Sequence, residues 1–197
     1  MKEKEVRKIN MQFRAESNDD GEMRIKGYAA VFNSPETYGY TEVIDPHAFD
    51  EADMSDVVLR YNHNDSFMVL ARTRNKSLEL DVDEKGLLMD AVLQNNITDH
   101  VNVYNAIDSE LIDKQSFAFT VEEDTYDYDT DTRTITKIGK LFDVSVVDQP
   151  FYNATDVSVA RDIKNNEFLE RRAELRKQHE EKKALEEAKN RLMKKLA

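Results

Sequence analysis

The chain has 197 residues, of which 40% are hydrophobic and 35% are charged, and it contains no cysteine. This length suits one domain with an appendage or two small domains, and the apolar fraction suffices for a core without covalent staples. The lack of cysteine excludes disulfides, thiolate nucleophiles and thiolate metal ligands, and it suits a reducing compartment.

The net charge of −12 is unevenly distributed along the chain. Residues 161–197 hold 12 basic and 8 acidic residues, a net +4, which leaves −16 on residues 1–160. An acidic body does not favour nucleic acid, because phosphate contacts need clustered Lys and Arg. No run approaches the ~20 apolar residues of a membrane span, and MKEKEVRKIN has no apolar segment, so we expect no membrane partner, no secretory signal and a cytosolic setting.

The first part of the chain alternates apolar and polar residues, which is typical of strands. Strands are predicted in KINMQFRAE and RIKGYAAVF, joined by the turn signal SNDDGEM. In VVLRYNH, the residues Val57, Leu59, Tyr61 and His63 share one face of a predicted strand. LELDV and LLMDAVL form a predicted hairpin with its turn at Asp83–Gly86.

The hydrophobic period then changes from two to that of a helix. NITDHVNVYNAIDSELID is predicted to form one amphipathic helix that ends near Ile112. Its apolar residues recur at Ile97, Val101, Tyr104, Ile107 and Leu111.

Extended segments return after this helix. In DKQSFAFTV, the two phenylalanines Phe117 and Phe119 point to one face of a strand, and Ser116 and Ala118 point to the other. EEDTYDYDTDT is predicted to be an acidic loop or hairpin tip, and RTITKI and KLFDVSVV to be two further strands, the last ended by Pro150. The pattern predicts an α+β fold, with a mostly antiparallel β-barrel-like body and one or two packed helices.

The composition shifts from Asp162 onward, where no Gly or Pro occurs and Glu, Lys, Arg, Ala and Leu dominate. This segment is predicted to form one long helix with a thin apolar stripe. Such a helix is marginal alone, so it either meets a partner or itself, or is a solvated tail. We therefore divide the chain into a body, residues 1–160, and a charged helical tail, residues 161–197.

Three polar residues interrupt apolar runs in ways that suit nucleophilic catalysis. Ser116 lies at the start of an apolar strand, and His63 ends another, beside hydrogen-bonding Asn62 and Asn64. Asp143 lies inside an apolar strand, where a carboxylate is costly unless it is paired. A hydroxyl, a base and a group that holds the base are the three parts of a catalytic triad. Each residue also has a plain structural interpretation, as a polar residue at a strand edge.

Other combinations are weaker. His47, His63 and His100 are conceivable zinc ligands, but no short ligand spacing supports them, and we expect His100 and the tail residue His179 to be solvated. The run DYDTDT resembles a calcium loop but lacks the required Gly and Glu. No glycine-rich phosphate loop occurs, so neither a metal nor a nucleotide cofactor is implied.

The segments taken together resemble the prohead proteases of tailed bacteriophages, the HK97-type maturation proteases. The resemblance covers residues 8–160, about four fifths of the chain. It rests on five blocks in order: GYAAVFNSPETYGYTEVIDPHAFDE, VVLRYNHN, KGLLMDAVL, LIDKQSFAFTV and KLFDVSVVDQPFYNATDVSVA.

The resemblance implies a serine endopeptidase with a fold similar to that of the herpesvirus assemblin proteases. By block, the family's histidine matches His63, its serine matches Ser116, and its acidic residue matches Asp143. It leaves open whether the third member is a carboxylate or a second histidine, for which His47 is the reserve candidate. The oxyanion donor is also open, with Arg133, Arg72 and backbone N–H groups as candidates.

The resemblance further implies the partners and setting. The partners are the major capsid protein with its scaffold segment, and the chain itself, through self-cleavage or through association of residues 162–197. The setting is the interior of the prohead as it assembles in the host cytoplasm. The chain departs from the family pattern at His47 and Ala118, each in place of a glycine, and lacks a glycine near Ala71. The departures at Ala71 and Ala118 favour an alternative, a non-catalytic capsid assembly or scaffold module with a dimerising C-terminal helix.

Overall fold

The structure is a computed structural model that describes residues 4–9, 14–17, 22–148 and 167–196. Its helices are α1 (Thr98–Asp108) and α2 (Glu167–Leu196), with a 3-10 turn at Thr73–Asn75. The strands are β1 (Lys4–Ile9), β2 (Arg14–Ser17), β3 (Met23–Val31), β4 (Glu36–Thr37), β5 (Thr41–Ile44), β6 (Val58–Tyr61), β7 (Ala71–Arg72), β8 (Leu78–Val82), β9 (Gly86–Leu93), β10 (Lys114–Asp127) and β11 (Thr132–Val147).

The strands form two sheets. The larger sheet has the order β1-β10-β11-β5-β4, with β6 also paired to β11 and β7 to β6. The smaller sheet has the order β2-β3-β9-β8. Within the larger sheet, β5 and β6 run parallel to β11 at different points along its length, whereas β1 and β10 pair antiparallel. The α+β class is confirmed, but no closed barrel is found among the described residues.

The long β10–β11 hairpin is the centre of the larger sheet. It places Phe117 and Phe119 of β10 in the core with their rings stacked 4.7 Å apart, and both side chains are fully buried. Alternation along an extended strand therefore turns Ser116 to the opposite face. The apolar face fixes the strand that carries the candidate nucleophile.

Several sequence predictions agree with these elements. The strand RIKGYAAVF corresponds to β3, and the hairpin with its turn at Asp83–Gly86 corresponds to β8 and β9. At that turn, the Asp83 carboxylate accepts hydrogen bonds from the N–H groups of Lys85 and Gly86. The predicted acidic loop or hairpin tip agrees only in part, because residues 128–131 form the tip of the β10–β11 hairpin but residues 122–127 belong to β10.

Other predictions of elements are wrong. The two ends of KINMQFRAE lie in β1 and β2, which belong to different sheets, so the segment does not have one pairing partner; alternation indicates a face but not a partner. RTITKI and KLFDVSVV are one strand of 16 residues, because Gly139 lies where the ladder shifts register and so bends the strand without ending it. The predictions at Pro150 and Asp162, and the boundary between body and tail, lie outside the described residues.

Helix α1 is shorter than predicted and faces the core differently. It ends at Asp108, and Glu110 then adopts a left-handed conformation with φ of 58°. The sequence predicts that Leu111 lies on the buried face of the helix. The turn instead directs Leu111 into solvent, with 76% of its surface exposed, and Ile112 is buried in its place.

Helix α2 contacts the body through its first turns. Phe168 is 3% exposed, with its ring 4.9 Å from Tyr40 and 5.8 Å from Tyr126, and the Arg133 guanidinium lies 4.2 Å over it. Beyond the contact of His179 with the hairpin tip, residues 180–191 and Met193 are exposed. In the described part of the chain, neither helix combines the length and apolarity needed to cross a membrane.

Candidate active site

Ser116 is fully buried on β10 and contacts the imidazole of His63. Its Oγ lies 2.6 Å from His63 Nε2 and 2.9 Å from the carbonyl oxygen of Arg7 on the neighbouring strand β1. The hydroxyl has one proton, so it donates either to the imidazole or to the carbonyl. A serine within hydrogen-bond reach of a base is the first part of an activated nucleophile.

His63 is held in place by an unusual backbone turn after β6. Asn62 and His63 both have φ of 53°, in the left-handed region that asparagine and histidine adopt more readily than most residues. The Asn62 N–H donates to the carbonyl of Val146 at 2.9 Å, which anchors the turn to β11. The prediction that His63 shares the strand face of Tyr61 is wrong, because β6 ends at Tyr61 and the turn re-aims the ring.

Asp143 is 2% exposed on β11, and its Oδ1 contacts His63 Nδ1. Its Oδ2 accepts a hydrogen bond from Lys4 Nζ at 3.0 Å. Burial by itself raises the pKa of this carboxyl. The hydrogen bond from His63 and the positive charges of His63 and Lys4 outweigh burial, so the pKa lies below its usual value. Asp143 is therefore a paired carboxylate that fixes the orientation of the ring.

Ser145 is a fourth member of this cluster that the sequence analysis did not identify. Its Oγ lies 3.0 Å from Asp143 Oδ1 and 3.1 Å from His63 Nδ1, and it accepts a weak hydrogen bond from the His63 backbone N–H at 3.3 Å. Residues two apart on a strand share a face, so the spacing from Asp143 was a usable signal.

The remaining histidines lie elsewhere. His47 is largely exposed and contacts Asp50 at 3.0 Å, away from His63. The prediction of a solvated His100 is wrong: it is 2% exposed, its Nδ1 accepts from the Gln94 N–H, and its Nε2 lies 3.1 Å from the Val69 carbonyl. The tail residue His179, also predicted to be solvated, is half-buried and stacks on Tyr128.

No cluster of metal-ligating side chains occurs within the described ranges. The two arginines considered as oxyanion donors are engaged in other pairs. Arg133 binds Glu5, Glu42 and Asp124, and Arg72 binds Asp56. Neither guanidinium is among the groups that contact Ser116 Oγ, which leaves backbone N–H groups as the remaining candidates from the sequence.

The contacts Ser116–His63–Asp143 form the hydroxyl–imidazole–carboxylate chain that defines the serine hydrolases with a Ser–His–Asp triad. The three residues come from β10, from the turn after β6 and from β11, so only the fold brings them together.

The sequence model of one protein family, described as caudovirus prohead serine protease, matches residues 10–168 and so includes all three positions. The chain belongs to this family. Its general role is therefore that of a phage capsid maturation protease. Comparison with curated proteins and with solved structures found no match.

Proposed function

We propose that this chain is a serine endopeptidase that cleaves the scaffold segment of the phage major capsid protein inside the prohead. The single observation that carries the proposal is the continuous contact from Ser116 Oγ through the His63 ring to Asp143. A family match alone supports the class of protein; these contacts support the assignment of roles to residues.

In the proposed mechanism, Ser116 Oγ attacks the carbonyl carbon of the scissile peptide bond. The hydroxyl proton passes to His63 Nε2, the new O–C bond forms, and the C–N bond breaks as His63 gives the proton to the leaving amine. Water then hydrolyses the acyl ester by the same route. Asp143 keeps Nδ1 protonated and so presents Nε2 as the base.

The geometry favours Asp143 over His47 as the third member. The Asp143 carboxylate touches His63 directly, whereas His47 is exposed and bound to Asp50.

The tail is assigned a separate role. The exposed turns of α2, which present Leu185 and Met193, suit association with the scaffold or with a second copy, and the same segment is a candidate for self-cleavage.

The test uses wild type, Ser116→Ala and the control Ser109→Ala, which changes an exposed serine at the end of α1. Each is treated with a fluorophosphonate reagent and, separately, incubated with capsid protein that carries its scaffold segment. We expect one label on the wild type and on Ser109→Ala, and none on Ser116→Ala. Intact mass should show cleavage of the capsid protein by the first two proteins and not by Ser116→Ala.

Failure to label and to cleave, with a folded circular dichroism spectrum, would contradict the protease if it occurred both in the wild type and in Arg7→Ala, a variant that weakens the strand β1 beside Ser116. The non-catalytic assembly module would then take its place. Label on a residue other than Ser116 would contradict the assignment of the nucleophile.

A further inference from the structure

The candidate nucleophile is covered by the N-terminal strand. Ser116 has no exposed surface, and β1 lies beside β10 with Lys8 opposite Ser116 and Arg7 opposite Phe117. A protease nucleophile must meet the carbonyl of a peptide, and the carbonyl that it meets here belongs to Arg7. β1 therefore lies beside Ser116 on β10, in the position that a bound substrate strand would need.

β1 is held as an edge strand. Among the described strands it pairs only with β10, at the end of the larger sheet. Addition of an extended peptide to a sheet edge is a common mode of peptide recognition, with main-chain hydrogen bonds for affinity and alternate side chains for specificity. A substrate added to β10 would occupy the same edge as β1.

The contacts of β1 oppose catalysis. When the Ser116 hydroxyl donates to the Arg7 carbonyl oxygen, it has no proton to give to His63. At the other end of β1, Lys4 Nζ lies 3.0 Å from the Asp143 carboxylate. The strand therefore binds two of the three triad residues and keeps the nucleophile from solvent.

The side chain of Arg7 fills a charged pocket on the core side of the sheet. Its guanidinium binds both carboxylate oxygens of Glu42, with Nη2 2.8 Å from Oε2, and lies 5.3 Å over the Tyr38 ring and 5.9 Å over that of Phe119. Bidentate pairing with stacking is a geometry that arginine satisfies and lysine does not. A residual cavity of about 20 Å³ beside Glu42 shows that the pocket is nearly full.

A second charge on the same face of β1 is recognised two residues earlier. The Glu5 carboxylate accepts hydrogen bonds from Arg133 at 2.8 and 3.0 Å. Arg133 is itself 2% exposed. The groove thus binds a Glu-x-Arg segment, with the arginine carbonyl at Ser116.

We propose that β1 occupies the substrate groove as an internal substrate-like strand, and that Glu42 and Arg133 select Glu-x-Arg peptides cleaved after the arginine. This inference rests on the proposed protease function. In the reaction, Ser116 Oγ bonds to the arginine carbonyl carbon, the following C–N bond breaks, and His63 carries the proton to the leaving amine.

Occlusion by β1 is tested with a reversible lock. Lys4 and Thr120 lie opposite each other, and opposed Cα atoms in an antiparallel pair lie within disulfide range. Because the chain has no cysteine, Lys4→Cys/Thr120→Cys can form one disulfide only. We expect fluorophosphonate to label Ser116 at least about tenfold more slowly in the oxidised protein than in the same protein reduced, while Lys4→Cys alone shows no redox effect. Equal rates in the two states would overturn the occlusion.

Specificity is tested with two peptides that differ in one group, Glu-x-Arg and Glu-x-citrulline, where citrulline keeps the shape of arginine without its charge. The enzyme is Arg7→Ala, in which β1 is weakened, with Arg7→Lys as a second variant should the first not fold. We expect kcat/KM for the arginine peptide to exceed that for citrulline at least about tenfold, and Glu42→Gln in the same background to remove most of the preference. Equal values for the two peptides would overturn the specificity.

The two proposals fail in different ways. If folded wild type, reduced double-cysteine protein and Arg7→Ala all remain unlabelled at Ser116, the protease function is refuted and this inference falls with it. If Ser116 labels but neither the redox state nor the peptide charge matters, only the inference is refuted.

Discussion

At the scale of single residues, the Asp143 carboxylate joins three other groups of the candidate site. This buried carboxylate meets the His63 ring, the Ser145 hydroxyl and the Lys4 ammonium. A buried carboxylate that keeps all its hydrogen-bond partners holds those partners in place. If one partner is removed, the carboxylate is left partly unpaired and its desolvation costs free energy. Because the Ser145 hydroxyl contacts both Asp143 and His63, we expect it to position the ring of His63.

The change Ser145→Ala should lower kcat/KM roughly tenfold, which corresponds to about 1.4 kcal/mol for one lost hydrogen bond to a charged group. Ser145→Thr keeps the hydroxyl and should retain most of the activity. Rates are measured with a peptide substrate, and unfolding curves separate an effect on catalysis from one on stability. Equal loss in both variants would show that the hydroxyl has no positioning role.

The three candidate triad residues stand out in the sequence because each is a polar residue in an otherwise apolar run. Their contacts could not be predicted, since His63 reaches its position through a left-handed turn that no hydrophobic pattern encodes. His100 was misjudged for a related reason. Its partners are the backbone groups of Gln94 and Val69, and backbone partners cannot be predicted from the residue types along the chain.

At the scale of elements, the chain builds the site from strand segments that the sequence shows as separate pieces. β11 contacts β10 along one edge, and β5 and then β6 along the other. Strand existence follows from local alternation, but pairing depends on residues far apart, such as Asp143 beside Val58. The faces of the strands were therefore predictable, and the order of the sheet was not.

The attachment of α2 to the body depends on Phe168, because its ring is the one buried apolar anchor among the described side chains of that helix. Phe168→Ala should free the helix, since removal of a buried aromatic ring costs roughly 3–5 kcal/mol. Leu185→Ala, a change at a residue 57% exposed, is the matched control.

Limited proteolysis followed by mass spectrometry measures this effect. We expect cuts within residues 167–180 to appear at least about tenfold faster in Phe168→Ala than in wild type or Leu185→Ala. If the three proteins are cut at one rate, the helix is not held by this contact.

At the scale of the whole molecule, one buried group of charges joins the N-terminal strand to the rest of the fold. Glu5 and Arg7 of β1 meet Glu42 of β5 and Arg133 of β11, and Arg133 also binds Asp124 of β10. Removal of one member of a buried pair is strongly destabilising, because it leaves a charge without its partner. The attachment of β1 is therefore electrostatic as well as a matter of strand pairing.

This group predicts how stability depends on pH. Burial raises the pKa of the Glu5 carboxyl, but hydrogen bonds and charge from Arg133 and Arg7 outweigh burial and hold the pKa below its ordinary 4.5. The unfolded chain thus binds a proton at a higher pH than the folded chain does. The contribution of Glu5 is complete above about pH 5 and is lost as the pH falls below 4.5 through the folded pKa.

The free energy of unfolding, measured with denaturant between pH 3 and pH 7, isolates this contribution when wild type is compared with Glu5→Gln. We expect the wild type to be more stable at neutral pH and the difference to shrink as the pH falls below about 4.5, because the carboxyl of the unfolded chain binds a proton there before the folded one does. Glu16→Gln, the same change at an exposed residue of β2, is the matched control. A Glu5→Gln difference that stays constant with pH would mean that Glu5 stabilises β1 by packing and not by its charge. The ion pairs of β1 would then hold the strand over Ser116 less firmly than these contacts indicate.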